Sequence, residues 1–120
     1  MTLKYLIDEN VNSVYPKQLR RREPEIIVRV VGEPDAPKLG TLDPQILIWC
    51  ETMEFLLVTN NRTSMPVHLV AHLNQNRHIP GIFLLNPNLS IGDNLLELIV
   101  LAKGSFDDEY KDQIIHLPLT

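Results

Sequence analysis

Three short stretches of the chain gather the residue types that do metal and phosphate chemistry. Asp8-Glu9-Asn10 closes an apolar run that opens at Leu3. Asp43 follows Thr41-Leu42 and precedes Pro44. Thr59-Asn60-Asn61-Arg62-Thr63-Ser64 closes a second apolar run, residues 55–58. Carboxylates drawn to one place repel each other unless a hard cation lies between them. Mg²⁺ or Mn²⁺, held by one or a few carboxylates and by water, is the natural occupant. Such an ion can activate a water molecule and clamp a phosphodiester. The plainer reading of Asp8 is as a cap of the helix that follows, since Asp and Asn are favoured there.

These groups can meet only if strands carry them to one edge of a sheet. Short apolar runs rich in branched and aromatic residues read as buried strands. The first ends at Asp8. Residues 26–31, Ile-Ile-Val-Arg-Val-Val, form the most strand-like segment, and Phe55-Leu56-Leu57-Val58-Thr59 is a third strand. Ile82-Phe83-Leu84-Leu85 is a fourth, and residues 113–117 are an edge strand stopped by Pro118. Helical spacing of apolar residues fills the intervals. One helix runs from Asn12 or Ser13 to Arg22. A second opens with Asp43 as N-cap and Pro44 at the first helical position. A third spans residues 65–77 with Met65, Leu69 and Leu73 in one stripe and Val70 beside it. A fourth begins at Ser90, whose spacing to Asp93 resembles a capping box, and ends near Gly104. The glycine- and proline-rich residues 32–40 form a loop long enough to be functional.

Strand and helix therefore alternate, which predicts an α/β fold: a three-layer α/β/α sandwich with a mainly parallel sheet of four to five strands. In open sheets of this kind ligands bind beyond the carboxyl ends of the strands, which is where the polar stretches fall. No Gly-x-Gly-x-x-Gly or Walker sequence is present, so the usual dinucleotide and nucleoside-triphosphate loops are missing.

The bulk properties bound the remaining classes. The 120 residues suit one domain, and a net charge of −4 gives no overall attraction to nucleic acid. The local basic group Arg20-Arg21-Arg22 suits the carboxyl end of a helix, where the dipole favours cations; the alternative is a phosphate-contacting patch. A single Cys50 rules out an internal disulfide framework and reads as a small buried hydrophobe. No apolar run reaches membrane-spanning length, and no signal-like segment opens the chain, so no membrane association and a cytoplasmic location are expected. His68 and His72 have a spacing that can hold zinc, but a solvated helical face is the expected setting. His78 and His116 fall near turns without an evident partner, Trp49 and Phe83 belong to the core, and Asp107-Asp108-Glu109 is a solvated run.

Taken together, Leu6-Ile7-Asp8-Glu9-Asn10, Thr41-Leu42-Asp43-Pro44-Gln45-Ile46-Leu47 and Leu56-Leu57-Val58-Thr59-Asn60-Asn61-Arg62-Thr63-Ser64 resemble the PIN-like domain family, in particular its small members known as the DUF5615 group. The likeness runs from Leu3 to about Leu101. In that family the third motif reads Val-Thr-x-Asp-x-Asp-Phe; here Asn61 and Thr63 stand in place of the acids and Ser64 in place of the aromatic. The resemblance implies a metal-dependent ribonuclease of the kind found as the toxin of a toxin–antitoxin pair, with a partly degraded acidic site. Asp8, Asp43 and, as a neutral substitute, Asn61 would be its catalytic residues. Asp8 and Asp43, joined by Glu9 if that side chain points inward, would hold Mg²⁺ or Mn²⁺. Asn10, Thr59 and Arg62 are the candidate substrate contacts.

The alternative implied by the missing acids is a catalytically inactive PIN-like domain that binds protein or RNA. The partners expected on either reading are RNA, an antitoxin-type protein and a second copy in a homodimer. A receiver-type module would need a phosphoacceptor Asp ending the third strand and a Lys ending the fifth; Thr59-Asn60-Asn61 and His116-Leu117-Pro118 stand there instead.

Overall fold

The computed structural model describes residues 2–119. Its elements run β1 (Tyr5–Ile7), α1 (Val14–Arg22), β2 (Val28–Val30), α2 (Asp43–Met53), β3 (Leu56–Thr59), α3 (Met65–Asn74), β4 (Ile82–Leu84), α4 (Ile91–Gly104) and β5 (Ile114–His116). The five strands form one sheet in the order β2-β1-β3-β4-β5, and every pairing is parallel. The α/β sandwich expected from the alternation is thus the architecture found.

The two-residue period of a strand sends neighbouring side chains to opposite faces, and the sequence fills both faces with apolar groups. Tyr5, Ile7, Val28, Leu56, Val58 and Phe83 face one core, closed by Tyr15 and Leu19 of α1 and by Leu95, Leu98 and Leu101 of α4. Leu6, Leu57 and Ile82 face the other, closed by Ile46, Leu47 and Cys50 of α2 and by Met65 and Leu69 of α3. Helices α1 and α4 therefore cover one side and α2 and α3 the other. Phe83 and Cys50 are buried as expected, whereas Trp49 is only half-buried and packs against Phe55 at 4.9 Å between ring centroids. No helix among the described residues is long and apolar enough to cross a membrane.

Three elements depart from the sequence expectation. The segment 26–31 forms strand only at Val28–Val30, because it is an edge strand whose single neighbour β1 is itself three residues long. Helix α3 ends at Asn74, short of Arg77, and its buried stripe is Met65, Leu69 and His72, while Val70 is 57% exposed. Asp43 is not the N-cap of α2: Leu42 takes that place with extended backbone, and Asp43 is the first helical residue. An N-cap carboxylate is used up on backbone N–H groups. At the first helical position Asp43 keeps its carboxylate for other partners.

Candidate functional site

The strand order reverses at β1, with β2 on one side and β3 on the other. In parallel sheets such a reversal opens a crevice beyond the carboxyl ends of the two central strands. Ile7 lies opposite Val58 in the β1–β3 register, so Asp8 and Thr59 follow side by side at the mouth of the crevice. A cavity of about 370 Å³ opens there, walled by Asp8, Glu9, Asp43, Thr59, Asn60 and Asn61, with Asn10 at its edge and residues 40–42 completing it.

Asp8 is 7% exposed and does not cap α1. Its Oδ2 accepts from the Thr59 hydroxyl at 2.8 Å and its Oδ1 from the Glu9 backbone N–H at 2.9 Å. Burial pushes the carboxyl above its usual range. These two hydrogen bonds work against that shift, and the charges of Asp43 and Glu9 add to it. Glu9 itself is exposed and its Oε1 accepts from the Gly40 N–H at 3.0 Å. Gly40 has φ +80°, a conformation that favours glycine, and this presents its N–H to Glu9. Glu9 therefore ties the 32–40 loop to the rim instead of joining Asp8.

Thr59 passes the connection on. Its Oγ1 also accepts from the Asn61 N–H at 3.1 Å. Asn61 then turns its amide nitrogen to Asp43 Oδ2 (3.0 Å) and to Ser64 Oγ (2.7 Å), while its Oδ1 accepts from the Ser64 N–H at 3.1 Å. One polar chain thus links Asp8 to Asp43 through Thr59 and Asn61. His68, one turn into α3, brings its Nε2 to 3.6 Å from Asp43 Oδ2, with the Asp43 side chain 24% exposed. Asp43 Oδ1 has no hydrogen-bond partner among the described residues.

The site therefore joins Asp8, Asp43, Thr59 and Asn61, keeps Glu9 and Asn10 on the wall, and leaves Arg62 aside. The Arg62 guanidinium donates to the Leu85 carbonyl at 3.0 Å, beyond the end of β4. His68 was missed as a member, and Ser64, read within the polar stretch after the third strand, was given no role of its own. The available signal was their placement: Ser64 precedes α3, and His68 follows it by four positions, on the same helical face.

The histidines are not a solvated pair. His68 is half-buried against Asp43, and His72 is 4% exposed, with its Nε2 3.2 Å from Glu51 Oε1. His78, expected to lack a partner, holds Asp112 at 2.7 Å through Nδ1. Among the basic triplet, Arg20 is engaged structurally, donating to Glu33 at 2.7 Å and to the Val28 carbonyl at 2.9 Å.

Chemically, the donor set is sparse. Two carboxylates with water are enough to hold Mg²⁺, but no three His, Cys, Asp or Glu side chains converge into a metal-holding group among the described residues. Asp8, buried beside Asp43, is where a cation would offset first the desolvation of a carboxylate and then its repulsion by the second acid.

No protein-family model, curated protein or solved structure matches the chain. The strand order is the one receiver domains share, but β3 ends in Thr59 and β5 in His116 where a receiver would present Asp and Lys.

Proposed function

We propose that this protein is a PIN-like domain that acts on single-stranded RNA as a Mg²⁺- or Mn²⁺-dependent endoribonuclease. The observation that supports this is the meeting of Asp8 and Asp43, from separate segments, in one cavity at the point where the strand order reverses. A bound ion would supply an activated water and a clamp on the phosphate. The chain's own residues do the rest. Thr59 and the Glu9 N–H fix the Asp8 carboxylate. Asn61 fixes Asp43 and leaves its Oδ1 for a ligand. His68 stands against Asp43 where a proton can be held. A toxin-like role in the cytoplasm, with an antitoxin-type partner and pairing into homodimers, belongs to the same reading.

Cleavage of a mixed single-stranded RNA by wild type, Asp8→Ala and Asp43→Ala tests it. Wild type should cut only with Mn²⁺ or Mg²⁺, and each variant should lose about a hundredfold or more, since even outer partners of metal ligands cost 10–100-fold. Equal background in all three proteins, with no rise in melting temperature on adding Mn²⁺, would sink the nuclease reading.

One observation favours a second reading, a domain that binds RNA or protein without cutting. Asn61 offers Asp43 its nitrogen, not its oxygen, so the amide occupies one carboxylate oxygen and supplies no ligand. On that reading Asn61→Asp should create Mn²⁺ affinity that wild type lacks, measurable by calorimetry. Undiminished RNA or partner binding in EDTA would accompany it.

A further inference from the structure

A second cavity adjoins the acidic one along the same sheet edge. It measures about 220 Å³ and lies between the end of β4 and the start of α4. Asn60 belongs to the walls of both cavities. The lining changes character across it. Glu9, Asp8 and Asp43 carry charge on one side, while the second cavity has no charged side chain in its wall. It has amides, one phenol and a few apolar groups, among them Leu85, Pro87 and Ile91.

The amides differ in how far they are committed. Asn94 is 2% exposed and fully used: its Nδ2 donates to the Tyr15 hydroxyl at 3.1 Å and to the Asn86 carbonyl at 2.9 Å, and its Oδ1 accepts from the Asn86 N–H at 3.2 Å. It is a fixed strut. Around it stand donors with no partner among the described residues. Because Asn94 donates to Tyr15, the Tyr15 O–H hydrogen is left for another acceptor. Asn86 spends its Oδ1 on the Asn88 N–H (2.8 Å) and Asn12 its Oδ1 on the Val14 N–H (3.0 Å), so both keep a spare NH₂. Asn60 makes no side-chain hydrogen bond and offers one donor group and one acceptor. Arg62, bonded to the Leu85 carbonyl at 3.0 Å, sets a cation beside the wall that Leu85 contributes.

A neutral, donor-rich pocket with an apolar wall, next to a cation, suits a planar ring bearing carbonyl oxygens and attached to a phosphate. Among the bases of RNA uracil fits best. Its two carbonyls accept from the spare donors, and its N3–H gives to the Asn60 amide oxygen. Cytosine replaces one carbonyl by an amino group and has no N3–H. We propose that this cavity is a base-binding subsite that selects uracil in the nucleotide next to the acidic pocket, with Arg62 contacting the phosphate. The proposal rests on the single-stranded-RNA reading of the acidic site, but not on cleavage there.

Direct binding in EDTA tests it, using fluorescence anisotropy with labelled U₄, C₄ and an abasic tetranucleotide against wild type, Asn60→Ala and Tyr15→Phe. Tyr15→Phe keeps the ring that packs in the core. Wild type should bind U₄ about tenfold more tightly than C₄, the loss of one or two hydrogen bonds, and the abasic chain more weakly still. Both variants should bring the U₄ to C₄ ratio to about one while binding the abasic chain as wild type does. Equal binding of all three oligonucleotides by wild type would overturn the subsite and keep the RNA reading. Variants that weaken every oligonucleotide equally would also overturn it. No binding of any oligonucleotide by wild type, in EDTA and again with Ca²⁺ added to offset the acidic pocket, would overturn the subsite and the RNA reading together, and would point to a protein partner at this edge.

Discussion

Helix α3 carries two histidines one turn apart, each meeting an acid of α2, and the two meetings are chemically opposite. At the amino end of the sheet, His72 has a 3% exposed side chain and sits 3.2 Å from Glu51 and 3.0 Å from the His78 carbonyl. Arg77 reaches Glu51 at 3.4 Å, the His78 N–H reaches it at 3.2 Å, and His78 in turn holds Asp112. Desolvation raises the Glu51 and Asp112 carboxyls, but hydrogen bonds and neighbouring cationic groups outweigh it and both end below their usual range. At the carboxyl end His68 stands 3.6 Å from Asp43, and the surrounding charges are acids. There burial, with Asp43 and Glu9 adding to it, pushes Asp8 up. One end is a closed network that binds α2, α3 and the β4 and β5 approaches together. The other holds surplus negative charge in an open cavity, which costs stability and is what the proposed cation site would use.

Breaking the closed end should have the largest effect. His72→Ala removes a buried ring and strands its hydrogen-bond partners, with an expected loss of about 3 kcal/mol in urea unfolding. Mn²⁺ or RNA binding at the far edge should stay within twofold. A comparable loss of binding would show that the two ends are coupled.

The opposite sign is expected at the open end. Asp8→Asn should raise stability by about 1 kcal/mol at neutral pH, as happens when a strained functional group is neutralised, while abolishing any cation binding. The pH dependence follows from the raised carboxyl. Asp8 disfavours the folded state progressively as pH rises from its ordinary value of 3.8 through its higher folded value. The advantage of the variant should therefore vanish in acid and grow across that interval. A constant gap at all pH values would assign the gain to packing.

Glu51 and Asp112 run the other way. Their contribution is complete above the ordinary values of 4.5 and 3.8 and is lost as pH falls through their depressed folded values. Glu51→Gln should accordingly cost about 1 kcal/mol at pH 7, a partly exposed pair being worth little more. The cost should shrink on acidification, as followed by thermal melts. The smallest effect should come from the exposed acidic run: Asp107→Asn is expected to stay within about 0.5 kcal/mol of wild type.

How far this contrast could be read from the chain depends on the residue. Asp8, Thr59 and Asn61 were identifiable because they fall where apolar strands give way to polar residues, and Asp43 because it opens the helix after the second strand; their grouping into one site came from the resemblance to the PIN-like family. The orientation of Asn61 was not legible. An amide presents either a donor or an acceptor, and the choice is made by Asp43 and Ser64 together. His72 was misplaced on a solvated face because a histidine on a helix gives no sign of its burial; Glu51, Arg77 and the His78 carbonyl make burial affordable by satisfying it. Arg62 was legible as a substrate-contact candidate from its place in the polar stretch, but not the strand end it reaches: the Leu85 carbonyl draws it to the end of β4.

The sequence by itself determined the layers. Apolar period and β-branched content act over a few residues, and they sufficed for an alternating α/β chain with two cores and one polar edge. Only the tertiary structure decided what that edge is. The Asp8–Thr59 and Asp43–Asn61 bonds join residues 51 and 18 positions apart, and their existence depends on strand order and on Asp43 sitting inside its helix. Charge interactions fall off with distance in space and are indifferent to distance along the chain. The same residue types therefore become a neutralised strut at one end of the sheet and a charged cavity at the other.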